Sequence, residues 1–115
     1  MTDINKALAF AKDCLKWKDA QWETNSRGIE IHDGTSSRGF YLTAEDIQRV
    51  LDTFLAKRYY IQINRGTTSL FRWSVIVGLQ DLSAPGAHHT QARADSDDMF
   101  DAIFDACVTA AKIDK

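Results

Sequence analysis

TAEDIQRVLDTFLAKRYYIQINRGTTSLFRWSVIV, Thr43 to Val77, decides the fold class, because a capped amphipathic helix runs directly into two alternating strands. The Thr43 hydroxyl is placed to accept from the amide of Asp46, and Asp46 to reach back as a short-armed capping box. Ile47, Val50, Leu51, Phe54 and Leu55 form one apolar stripe. Glu45 lies one turn before Arg49, the favourable order for an ion pair, and Lys57 and Arg58 suit the negative end of the helix dipole. Tyr59, Ile61 and Ile63 then alternate with Tyr60, Gln62 and Asn64, the period of a half-buried strand. Arg65 and Gly66 supply a turn, and Leu70 to Val77 returns with Phe71, Trp73, Val75 and Val77 on one face and Leu70, Arg72, Ser74 and Ile76 on the other. The result is an antiparallel hairpin with one apolar face.

Upstream, Ile4, Ala7, Leu8, Ala11 and Leu15 recur at helical spacing behind Asp3 as a cap. Trp17 to Arg27 has no clear period, and Trp22 is a candidate for the start of a short strand. Ile29, Ile31, Phe40 and Leu42 spell a hairpin around the Asp33–Gly34 turn. Downstream, Leu79 to Ala87 is irregular and holds the only proline, His88 to Arg93 reads as an edge strand, and Asp95 to Ala111 closes the chain as a helix. Asp95 or Ser96 is its expected cap, and Met99, Phe100, Ile103, Phe104, Cys107 and Ala110 its buried side. The order α-β-β-α-β-β-β-α predicts a single α+β domain over residues 1–115, with about five largely antiparallel strands and three helices. Such a sheet is about 20 Å wide and seats two or three helices, as a two-layer fold or an α-β-α sandwich.

A chain of 115 residues can bury a core without metals or disulfides. Its formal charge of −2 gives no electrostatic footprint for general nucleic-acid binding. No signal peptide is apparent, and no run approaches the ~20 apolar residues of a membrane span, so a cytoplasmic protein is expected. Cys14 and Cys107 fall among helical alanines and read as buried thiols acting as small hydrophobes.

Chemistry is sparsely written. Asp97, Asp101 and Asp105 repeat at spacing four and form a candidate acidic patch, with Asp95 and Asp98 nearby. These aspartates run into Met99 and Phe100 and lack the alternation and glycine of a calcium loop, though the stripe would suit imitation of a run of phosphates. His88 and His89 are adjacent, so a strand would point them to opposite faces, and His32 alone cannot complete a zinc site. No cysteine has a neighbouring histidine and no serine sits in a nucleophile elbow. Glu30, His32 and Arg72 would make an acid–base site only if the fold brought them together. No catalytic, cofactor-binding or metal residues are therefore assigned. The candidate binding surface is the outward side of the central hairpin: Tyr60, Gln62, Asn64, Arg72 and Ser74.

Tyr41 to Leu51 is a tyrosine strand end entering a capped helix, Phe71 to Val75 centres on Trp73, and Ala94 to Ala110 leads an alanine-rich terminal helix. In these stretches the chain resembles the phage ABA sandwich domain family of small phage and prophage proteins. The resemblance implies helices on both sides of a sheet and a viral or prophage origin. It supplies no activity and no catalytic residues, and the Thr24 to Ser37 segment is longer and more polar than the family pattern. The expected function is a noncatalytic accessory or protein-binding domain, monomeric or homodimeric, with a protein rather than nucleic acid or membrane as partner. The alternatives are an acidic inhibitor of a host nucleic-acid enzyme, and a small enzyme or metal-binding protein whose site the sequence does not reveal.

Overall fold

Three phenylalanines from three helices meet at one point and organise the rest of the chain. The computed structural model describes residues 3–56, 59–65, 72–79 and 91–113. Helix α1 spans Ile4–Asp13, α2 Ala44–Leu55 and α3 Met99–Ile113. Phe10 of α1 lies 6.0 Å edge-on from Phe54 of α2 and 5.0 Å from Phe104 of α3, ring centre to ring centre. Phe54 in turn stacks on Tyr59 at 4.2 Å.

Helix α1 buries a stripe rotated from the expected one. Ala7 and Ala11 are buried as expected, but Phe10 and Cys14 join them, while Ile4, Leu8 and Leu15 flank them half-buried. Both stripes obey helical spacing and share the two alanines; the observed one turns Phe10 inward between the other two helices. The Asp3 cap forms as expected, its carboxylate accepting from the Asn5 amide at 2.9 Å. At the other end Lys16 takes a left-handed backbone (φ 61), and the Trp17 amide returns to the Ala11 carbonyl at 3.1 Å. That bend drives Trp17 into the core against Phe40, ring centres 5.8 Å apart.

Among the described residues six strands form, one more than the sequence suggested, and they pair as two antiparallel three-stranded sheets. The first sheet joins β1 (Ala20–Asn25), β2 (Gly28–Asp33) and β3 (Gly39–Tyr41) in that order. The additional strand is β1. Trp22, the candidate start of a short strand, lies inside it, but its extent escapes pattern reading because every residue after Ala20 is exposed, Trp22 included at 50%, so no apolar alternation marks it. Main-chain pairing from Ala20↔Asp33 to Asn25↔Gly28 holds it instead. The turn needs Gly28 at φ 116, a backbone that side-chain-bearing residues rarely adopt, and the Asn25 side chain accepts from the Arg27 amide at 2.9 Å.

The second sheet joins β4 (Tyr59–Arg65), β5 (Trp73–Leu79) and β6 (Gln91–Ser96). The central hairpin has the expected phase: Val75 and Val77 are fully buried and Tyr59 is 9% exposed. Residues 66–71, which include Gly66, Leu70 and Phe71, lie outside the described residues, as do Lys57, Arg58 and residues 80–90 with His88 and His89. Strand β6 runs on to Ser96, because Ala92 and Ala94 face the core while Gln91, Arg93 and Asp95 face out.

That extension moves the cap of α3 to Asp98, two or three residues past the expected Ser96 or Asp95. Asp98 accepts from the Phe100 amide at 2.9 Å and the Asp101 amide at 3.1 Å. Burial pushes its carboxyl up, but these bonds help to hold it below the usual range. Thr43 caps α2 as expected, with the Asp46 amide 3.4 Å from its hydroxyl. Asp46 does not complete a capping box: its carboxylate accepts from the Tyr41 amide at 2.9 Å, tying β3 to the helix start. Arg49 stands 3.9 Å from Asp46 and donates to the Gly39 carbonyl at 3.0 Å.

One buried cluster draws on all three helices and both sheets, with α1 and α3 in mutual contact, α1 against the first sheet and α3 against the second. Cys14 and Cys107 are buried in it outside any disulfide, and burial pushes the Cys107 thiol up. No described helix is long and apolar enough to cross a membrane.

Candidate functional site

Register across the second sheet decides what the central hairpin presents to solvent. Directly opposed residues share a face, so the outward side carries three rows: Asn64–Ser74–Asp95, Gln62–Ile76–Arg93 and Tyr60–Gly78–Gln91. Gln62, Asn64, Gln91, Arg93 and Asp95 are exposed, while Tyr60, Ser74 and Ile76 are half-buried. The inward side carries Ile61–Val77–Ala92 and Ile63–Val75–Ala94 toward α2 and α3.

Four of the five residues expected to form a surface, Tyr60, Gln62, Asn64 and Ser74, are thus brought together, and the fifth, Arg72, is exposed just before β5 with its amide 3.2 Å from the Asp97 carboxylate. Three further members, Gln91, Arg93 and Asp95, come from β6. Their signal was the alternation with Ala92 and Ala94, weak because alanine is the smallest core residue and reads equally well as helix.

Tyr60 is the ordered element of this face. Its ring crosses the middle strand over Gly78, where an added Cβ would overlap it, and its hydroxyl meets the Gln91 side-chain amide at 2.6 Å. A glycine here opens the space for a cross-strand ring. Gly78→Ala is expected to swing the ring aside, break the Tyr60–Gln91 bond and cost about 1 kcal/mol despite the better strand propensity of alanine. Urea unfolding reads the cost, and loss of ring contacts to Gln91 in NMR spectra reads the displacement.

The acidic stripe is not presented as a free surface. Asp97 precedes α3 and accepts from the Arg72 amide. Asp101 is 9% exposed and accepts from the Asp3 amide at 2.7 Å, while Asp105 pairs with Lys6 at 2.7 Å and raises its pKa. Two of the three carboxylates therefore bind α1 to α3. Sequence spacing aligned them along one helix but could not show that a second helix lies against them.

Glu30 and His32 face outward from the first sheet, Glu30 between Glu23 and Tyr41, His32 between Gln21 and Gly39. Arg72 belongs to the other sheet, so these three residues are spread over two surfaces. Among the described residues no group of three or more His, Cys, Asp or Glu side chains is arranged to hold a metal ion. Arg65 lies over the Trp73 ring at 5.8 Å, and Trp73 is only half-buried. The chain matches no protein-family model, no curated protein and no solved structure in comparisons with each.

Proposed function

We propose that this chain is a noncatalytic binding domain whose protein partner seats on the outward face of the second sheet. The observation that carries the reading is the three-row lattice itself. Amide and hydroxyl groups surround one half-buried aliphatic, Ile76, and arginines stand at Arg72 and Arg93. Arginine and tyrosine around a small apolar centre is the composition of a wet protein interface.

The fold is read here as one layer of helices on one layer of sheets. A least extent of 20 Å supports it, since helix-on-sheet packing needs about 10 Å between layers and a third layer needs as much again. A phage or prophage origin and a cytoplasmic setting remain part of the proposal, the former resting on the sequence resemblance alone. The acidic-inhibitor alternative loses support because Asp101 and Asp105 are engaged by α1.

Affinity capture from native lysate with paired Arg72→Ala and Arg93→Ala substitutions tests the proposal. Both side chains are exposed, whereas truncating Tyr60 would also uncover Gly78 and mix folding with binding. The retained partner is expected to weaken at least about thirtyfold, the effect of losing an interface hot spot, with circular dichroism unchanged. Undiminished capture by the double variant would sink the reading.

A further inference from the structure

Between the end of α1, the β2–β3 connection and α2 lies a concavity of about 400 Å3, on the side of the molecule built around the first sheet. Trp17, Leu15 and Val50 provide its apolar walls, Thr53 a hydroxyl, and Arg38 and Arg49 its only charged lining groups. Both arginines line this one cleft, and a short piece of backbone connects them. Arg49 Nη2 donates to the carbonyl of Gly39, the residue directly after Arg38. Arg38 lies over the Trp17 ring at 5.7 Å and is tethered by Nη2 to the buried Asp33 at 2.9 Å and by Nε to the Ser36 hydroxyl at 3.2 Å.

The Arg38 guanidinium is thereby fixed along one edge and that of Arg49 at one nitrogen, and Nη1 of neither has a protein partner among the described residues. Planar donors already held in place lose little freedom when they take a carboxylate or phosphate in a fork. The volume falls in the range of small-molecule sites, and such sites pair apolar walls with a few fixed polar groups. Among the described residues no carboxylate lines the cleft to repel an anion.

We infer that this cleft binds a small organic anion, a carboxylate or phosphate monoester, with its charged group on Arg38 and Arg49 and its apolar body against Leu15 and Val50. Arg49 is the discriminating position. It stands exposed on α2 and its nearest carboxylate, Asp46, is 3.9 Å away and already accepts from Tyr41, so its charge is only partly answered.

Titration followed by 15N NMR, observing the arginine Nε–H and the Trp17 indole signals, tests the assignment with three probes: phenyl phosphate, benzoate and inorganic phosphate. Phenyl phosphate and benzoate are expected to give saturable shifts localised to these groups, with inorganic phosphate bound more weakly. R49Q is expected to weaken the two organic probes about tenfold or more. R49K, which keeps the charge and loses the planar fork, is expected to fall between; it is the variant to read if R49Q disturbs the spectrum elsewhere. Absence of saturable shifts with every probe, binding that persists unchanged in R49Q and R49K, or inorganic phosphate bound as tightly as phenyl phosphate would each overturn the inference.

Discussion

Replacing Phe10 by alanine is expected to cost about 3–5 kcal/mol, the largest stability loss of any single truncation in this chain. Phe10 is fully buried and its ring touches Phe54 of α2 and Phe104 of α3, so one side chain links all three helices. Removing it deletes apolar surface and leaves a void whose walls belong to three separate elements. Those walls cannot all close on it at once, because α1 is also fixed to α3 by the Asp3–Asp101 and Lys6–Asp105 contacts. Domains of this size are stable by about 5–15 kcal/mol, so the variant should be visibly depleted of folded protein under mild denaturant. Phe10→Leu, which keeps most of the volume, should lose less than about 1.5 kcal/mol. The check is the urea midpoint of the two variants against the parent, with an unchanged slope showing that the denatured state is the same. A loss below about 1 kcal/mol for Phe10→Ala would mean that the three helices are held together elsewhere.

Phe10 also marks where sequence reading reaches its limit. Periodicity identified α1 correctly but selected the face with more leucine and isoleucine, because hydropathy rewards large aliphatics and is blind to how closely a partner helix must approach. In α2 no such competition exists: Ile47, Val50, Leu51 and Phe54 are all buried, as their spacing requires. The central hairpin was equally legible, since a strand with one covered face has a period of two written into its composition. Strand β1 carries no such record. Its residues are exposed, and what forms it is backbone pairing with β2, which leaves no trace in side-chain type.

The candidate surfaces divide along the same line. Tyr60, Gln62, Asn64 and Ser74 were placed together correctly because strand parity fixes a face once register is known. Asp101 was misread as surface, because helical spacing says which residues share a face and says nothing of what lies opposite; Asp105, though 42% exposed, is paired with Lys6. The arginine cleft was not legible at all. Trp17, Arg38 and Arg49 come from three different parts of the chain, and no spacing rule connects a helix terminus, a loop and the middle of a second helix.

The anchor of that cleft carries the second large expected effect: Asp33→Asn should lower the Tm by roughly 10 °C at neutral pH. The Asp33 side chain is fully buried at the end of β2, with one oxygen accepting from the Thr35 amide at 3.0 Å and hydroxyl at 2.7 Å. The other accepts from Arg38 at 2.9 Å. The Asp33 amide itself donates to the Arg38 carbonyl, so one residue closes the whole β2–β3 connection. An asparagine would turn two donor hydrogens toward groups that are themselves donors, leaving buried polar atoms unmatched. The amide and hydroxyl of Thr35, then Arg38, hold the Asp33 carboxyl far below the ordinary carboxylate range, outweighing the opposing effect of burial. Because the folded value lies below the unfolded one, near 4, the unfolded chain takes up the proton first as pH falls. The stabilisation is therefore complete at neutral pH and is lost as acidification proceeds below about pH 4. Melting curves from pH 7 to 2 should show the parent falling steeply in the acid range and Asp33→Asn, whose side chain does not titrate there, starting lower and falling less. Parallel curves would show that Asp33 does not organise the connection. A converging pair would show that the ionised Asp33 carboxylate is what stabilises the β2–β3 connection, the same carboxylate that accepts from the Arg38 guanidinium.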